Sequence, residues 1–117
     1  LEESLVAADE ALRLGSVDPT LYLLRGAVLI QLKRFEESRE ALMIAVGALP
    51  LNDRARLLLV ASLVNVGKRD AAVVVIEQGL IIKPGHKAFL ARLRKLLEPP
   101  AASAPEGTLE PGSETAP

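Results

Sequence analysis

Two consecutive stretches of 34 residues decide the fold: PTLYLLRGAVLIQLKRFEESREALMIAVGALPLN at 19–52 and DRARLLLVASLVNVGKRDAAVVVIEQGLIIKPGH at 53–86. Laid on one another they match Leu23-Leu24 with Leu57-Leu58, Ala27 with Ala61, Leu29 with Leu63 and Pro50 with Pro84. The same offset, run backwards, brings Phe35-Glu36-Glu37-Ser38 onto Leu1-Glu2-Glu3-Ser4, Ala41 onto Ala7 and Ala45 onto Ala11. Within a stretch, apolar residues recur every three or four places: Leu21, Leu24, Val28 and Leu32, then Phe35, Leu42, Ala45 and Leu49. That is the spacing of one helical face. Asp18-Pro19 supplies an N-cap followed by proline at the first helical position, Pro50, Asn52 and Asp53 a stop and a new cap, and Pro84-Gly85 another stop. The pattern predicts helices near 1–14, 19–32, 35–48, 53–66, 69–82 and 86–98. Joints this short make neighbouring helices antiparallel. Val73-Val74-Val75-Ile76 alone favours a strand, but Asp70-Ala71-Ala72, Glu77-Gln78 and the repeat register favour continuing a helix.

A helix–turn–helix period of 34 residues resembles the tetratricopeptide repeat. In unit 19–52, Tyr22 stands in that family's tryptophan slot, Gly26 in the glycine slot and Leu29 in the tyrosine slot. Ser38 and Ala45 take the two alanine slots, Leu42 the phenylalanine slot and Pro50 the proline slot. Unit 53–86 keeps Leu59, Leu63, Ala72, Ile76 and Pro84 with Gly67 in its turn, but departs with Arg56, Val60 and Gly79 in the tryptophan, glycine and second alanine slots. Gly26, Ala45, Ala72 and Gly79 are small where two helices cross closely. Gly79 inside a helix costs about 1 kcal/mol against alanine, a cost that close packing explains. The resemblance implies an all-α fold of about six helices, antiparallel hairpins stacked as a right-handed α-solenoid over residues 1–98. In that reading the chain opens on the second helix of a unit, leaving Leu1, Leu5, Ala8 and Leu12 without their hairpin partner unless another segment or subunit covers them. Residues 86–98 form a capping helix, with Lys87, Arg92, Arg94 and Lys95 in water and Phe89, Leu90, Leu93 and Leu97 inward.

Composition agrees and excludes. Of 117 residues half are apolar, yet only Tyr22, Phe35 and Phe89 are aromatic, so aliphatic side chains and alanine build the core. No cysteine is present, which removes disulfides, thiolate metal sites and cysteine nucleophiles. The net charge of −1 makes no global case for nucleic acid or an anionic membrane. The longest apolar run, Leu57 to Val64 if Ser62 is passed over, falls far short of the roughly 20 residues that span a bilayer. Residues 99–117 hold five of the eight prolines with Glu106, Glu110 and Glu114, the composition of a disordered acidic tail.

Nothing in the pattern supports catalysis, a metal site or a cofactor. His86 is the sole histidine and reads as a solvated turn residue. The paired glutamates at 2–3 and 36–37 complement helix N-termini, and adjacent helical positions point about 100° apart, unlike a catalytic dyad. Ser4 and Ser38 sit in packing slots without a nucleophile elbow or histidine support. The basic cluster at 83–98 is either a solvated cap face or an anion-binding patch; its single aromatic and the acidic tail favour the former.

The resemblance places a concave groove along the first helices of the units. Here it is lined by Thr20, Leu23, Ala27, Ile30, Gln31, Arg54, Leu57, Ala61, Val64 and Asn65, with Ala88, Ala91 and Lys95 from the closing helix. Leu23 and Leu57 replace the lysines, and Ala27 and Ala61 the asparagines, with which family members clamp a C-terminal carboxylate. The lining suits an apolar peptide or amphipathic helix of a partner protein. Alternatively these residues are closed by neighbouring helices and bind nothing. Met43, Ile44, Val74 and Ile81, among Glu40, Glu77 and Gln78, form a second, convex surface suited to self-assembly together with the open first helix. The use of alanine, leucine, valine and arginine resembles bacterial proteins, where the family often serves in secretion, pilus or envelope assembly. The compartment stays open.

Overall fold

The computed structural model describes residues 1–98; the acidic tail expected at 99–117 lies outside the described residues. Six helices follow in chain order: α1 Glu2–Arg13, α2 Pro19–Gln31, α3 Phe35–Ala48, α4 Asp53–Asn65, α5 Arg69–Ile82 and α6 Lys87–Leu97. Among the described residues there is no strand, and Val73–Ile76 lies inside α5. Each helix packs on its neighbours in the chain, and α2 also meets α4. The result is an α-solenoid of stacked hairpins, 61 × 32 × 17 Å in extent.

The 34-residue register of the sequence reappears in the backbone. Helices α2, α4 and α6 begin at 19, 53 and 87, and α3 and α5 at 35 and 69. Arg34 and Lys68, which precede the two second helices, have φ, ψ of −97°, 70° and −104°, 61°. Leu49 and Lys83, which follow them, have −126°, 67° and −131°, 79°. Equivalent residues thus repeat one local geometry although their side chains differ.

Local chemistry explains the boundaries. Asp18 accepts from the Thr20 amide at 3.0 Å and from its hydroxyl at 2.7 Å, and these bonds hold its carboxyl below the ordinary range. Asn52 caps α4 through the Ala55 amide at 2.9 Å. The turns after α2 and α4 each end in a left-handed residue, Lys33 at φ 61° and Gly67 at φ 82°. In both, the next amide reaches back five residues, Arg34 to the Leu29 carbonyl and Lys68 to that of Leu63, both at 2.8 Å. Glycine meets this need in one turn; in the other a lysine bears the strain.

The main core joins Leu42, Leu59, Val60, Leu63, Ala72, Ile76, Phe89 and Leu96. A smaller one joins Leu5 of α1 with Val28 and Leu29 of α2. Leu5 and Ala8 are covered by another segment, since α1 lies against α2 and buries them. Two other expectations are revised. In α6 it is Phe89 and Leu96 that are buried, while Leu90 and Leu97 are exposed, because α6 packs on α5 along one face only. Ser4, expected in a packing slot, is exposed, whereas Ser38 is fully buried. The Ser38 hydroxyl donates to the Gly26 carbonyl at 2.8 Å and meets the Ser62 hydroxyl at 2.9 Å, linking α2, α3 and α4.

A Cβ on Gly26 would lie 2.4 Å from Cγ of the buried Leu42, whereas one on Gly47 of α3 would meet nothing. We expect Gly26→Ala to destabilise by about 1–2 kcal/mol, overpacking outweighing the gain in helix propensity. Gly47→Ala should stabilise by about 0.5–1 kcal/mol. Lys33→Gly should add about 0.5–1 kcal/mol by relieving the left-handed backbone. Urea unfolding followed by circular dichroism measures all three.

Candidate binding surfaces

The positions expected to line a groove lie on α2 and α4. Leu23, Ala27 and Ile30 of α2 and Leu57, Ala61 and Val64 of α4 are half-buried. The four larger ones also pack against the main core, so each presents only part of its surface. Thr20, Gln31, Arg54 and Asn65 are exposed and edge this strip with polar groups. The Asn65 side-chain amide already donates to the Ala61 carbonyl at 2.8 Å, which leaves its oxygen free as an acceptor. Ala88, Ala91 and Lys95 of α6 are exposed.

On the second helices, Met43, Ile44, Val74 and Ile81 are all exposed, as expected. Met43 and Val74 line opposite walls of a cleft of about 560 Å³ between α3 and α5, whose floor is Leu59 and Leu63 of α4. Gly47 and Ala71 widen it, and Arg39, Lys68 and Gln78 supply its polar groups. Arg39 is held by an ion pair with Glu36 and approaches the Met43 sulfur at 3.4 Å. Ile44 and Ile81 do not line this cleft. The repeat register hid the cleft: Met43 and Val74 have Glu77 and Glu40 as their 34-residue counterparts, so no recurring pattern marks it.

His86 is not the solvated turn residue expected. It is half-buried and caps α6, its Nδ1 accepting from the Phe89 amide at 3.3 Å while its ring stacks on Phe89 at 3.9 Å. Nε2 therefore carries the proton, and it lies 2.8 Å from Oδ2 of Asp53. Lys83 reaches Oδ1 of the same carboxylate at 2.8 Å and the Leu51 carbonyl at 3.3 Å. The start of α4 is thereby tied to the start of α6. Lys83 and His86 hold the Asp53 carboxyl below the usual aspartate range through these bonds.

Arg56, read from the sequence only as a departure from the repeat, is a structural cation. It is 4% exposed and donates to the Val75 carbonyl at 3.0 Å and the Pro50 carbonyl at 3.2 Å. Burial pushes its guanidinium below the ordinary arginine value, opposed by the nearby Asp53 charge. Among the described residues, no group of three or more histidine, cysteine, aspartate or glutamate side chains comes together as a metal site would need. No helix there is long and apolar enough to cross a membrane.

A scan against protein-family models matches none, and no curated protein matches the chain.

Because the Asp53 pKa is depressed in the folded state, its contribution to stability is present above the ordinary aspartate pKa and lost as pH falls through the folded one. Hydrogen exchange should show α6 losing protection ahead of α2 and α3 on acidification below about pH 4. Asp53→Asn should lower α6 protection at neutral pH and flatten this acid response.

Proposed function

We propose that the chain is a non-catalytic protein-interaction module of tetratricopeptide type. It takes an apolar peptide or the apolar face of an amphipathic helix along its first-helix surface and holds that partner within a larger complex. One observation carries this reading. Aliphatic residues at repeat-equivalent positions, Leu23, Ala27 and Ile30 in α2 and Leu57, Ala61 and Val64 in α4, form a half-open strip edged by exposed polar groups. A partner closing the strip gains the remaining apolar burial at about 25 cal/mol per Å², with Gln31, Arg54 and Asn65 available to fix its register. The resemblance to tetratricopeptide repeats rests on the 34-residue spacing of helix starts and on the small residues at the crossings.

The cleft between α3 and α5 supports a second reading, in which the partner's apolar side chain enters between Met43 and Val74. Its concave form favours this reading; its lack of a counterpart elsewhere in the repeats does not.

Capture of partners from source lysate by the immobilised chain separates the two. Ala27→Glu with Ala61→Glu keeps the neighbouring leucines in the core and puts charge on the strip. We expect this pair to weaken capture of the principal partner by about tenfold or more. Met43→Glu with Val74→Glu should leave it unchanged. The reverse pattern, in variants whose circular dichroism remains helical, moves the site to the cleft. Loss in neither sinks both readings.

A further inference from the structure

The cleft between α3 and α5 is cationic at one end and apolar along most of its length. Its α3 wall runs from Arg39 through Met43 to Gly47, and its α5 wall from Lys68 through Val74 to Gln78. Helix α4 packs antiparallel between the two, so α3 and α5 run the same way and their walls start at the same end. Arg39 and Lys68 therefore stand together at that end, with Gly47 and Gln78 at the other. From Arg39 to Gly47 the wall rises about 12 Å. The far end is roomy because Gly47 has no side chain, and a Cβ built there would meet nothing.

The charge of the cleft has one sign. No aspartate or glutamate lines it. Among the described residues Lys68 has no ion-pair partner. Asp70, two residues on, belongs to a separate shallow recess beside it. Glu36 engages Nε and Nη2 of Arg39, while Nη1 points to the Met43 sulfur at 3.4 Å. A thioether is a weak acceptor, so Nη1 keeps its capacity for a stronger one at the cationic end of the cleft.

We propose that this cleft is a binding site for a fatty-acid-like monocarboxylate. The carboxylate lies at the end marked by Arg39 and Lys68, and the acyl chain runs between Met43 and Val74 toward Gly47. Burial of the chain against the exposed Met43 and Val74 and the Leu59 and Leu63 floor drives binding, and the two cations fix which way round the ligand lies. The volume falls within the range of about 300–1,000 Å³ usual for small-molecule sites. The site assigns the cleft to a small molecule instead of a partner's side chain. It leaves the first-helix strip free, so it stands or falls separately from partner capture there.

Titration of the full chain with dodecanoate below its micellar concentration tests the site, by calorimetry and by the methyl resonance of Met43. Met43 is the only methionine, so its methyl reports on the cleft alone. We expect saturable one-to-one binding that shifts this resonance. Dodecanol and dodecyltrimethylammonium, with neutral and cationic heads on the same chain, should bind at least about tenfold more weakly. Lys68→Gln should weaken dodecanoate about five- to tenfold and leave dodecanol unchanged. Gly47→Leu, on an exposed face of α3, should fill the far end and weaken both ligands about tenfold or more. Circular dichroism checks that each variant stays helical. Equal affinity for the three heads overturns the proposal, as does dodecanoate binding that Gly47→Leu leaves undiminished. Absence of saturable binding, or a Met43 methyl that does not move because a second copy or a protein segment already fills the cleft, overturns it as well.

Discussion

Everything in the array hangs on how closely two helices of one hairpin can approach. At the α2–α3 crossing that distance is set by Gly26, where Leu42 occupies the place a side chain would take. With the backbones this near, the Ser38 hydroxyl reaches across to the Gly26 carbonyl, and the Ser62 hydroxyl of the next helix reaches Ser38 in turn. Buried hydroxyls are costly when unpaired. Here each satisfies the other, so the polar contact and the apolar crossing need the same spacing. The strip formed by Leu23, Ala27 and Ile30 is a by-product: α2 can turn that side outward only because its other side is fully used.

The next hairpin meets the same constraint with different chemistry. Val60 occupies the slot of Gly26, and the room is made instead on α5, where Gly79 sits against the Arg56 stem and the Phe89 ring. Arg56 stands where the first unit has Tyr22. Its apolar stem fills the crossing, and its guanidinium finds the Pro50 and Val75 carbonyls, oxygens at the turn into α4 and inside α5. The positive charge is thus distributed among backbone dipoles rather than neutralised by a carboxylate. Phe89 connects this crossing to His86 and Asp53, so the anchoring of α6 depends on a glycine ten residues earlier.

Helix boundaries were legible because their causes are local. Asp18, Asn52, Pro19 and Gly67 act within a turn of their own position, and the 34-residue offset carries that information from one unit to the next. The register failed where a neighbour was missing from the described helices. Leu90 and Leu97 have the spacing of core residues and occupy core slots, yet no second helix covers them. Lys33 concealed the strained turn that Gly67 announces. The α3–α5 cleft left no mark in the pattern because it arises from the separation of two helices that are far apart in sequence. His86 looked solvated for a related reason: its partner Asp53 lies a full repeat away, and only stacking brings them together.

The linear arrangement has a thermodynamic meaning of its own. No helix of the described residues bridges distant parts of the array, so stability is a string of nearest-neighbour couplings rather than a property of one closed core. A defect at the α1–α2 junction, with its small separate cluster of Leu5, Val28 and Leu29, reaches α6 only through the helices between, along the chain or by the shorter steps from α2 to α4 and from α4 to α6. Among the described helices α1 and α6 pack on one chain neighbour each and lose structure first, while α2 to α5, coupled on both sides, hold out longer. Such a chain behaves less like a globule with a single transition than like a short zipper that opens from its ends.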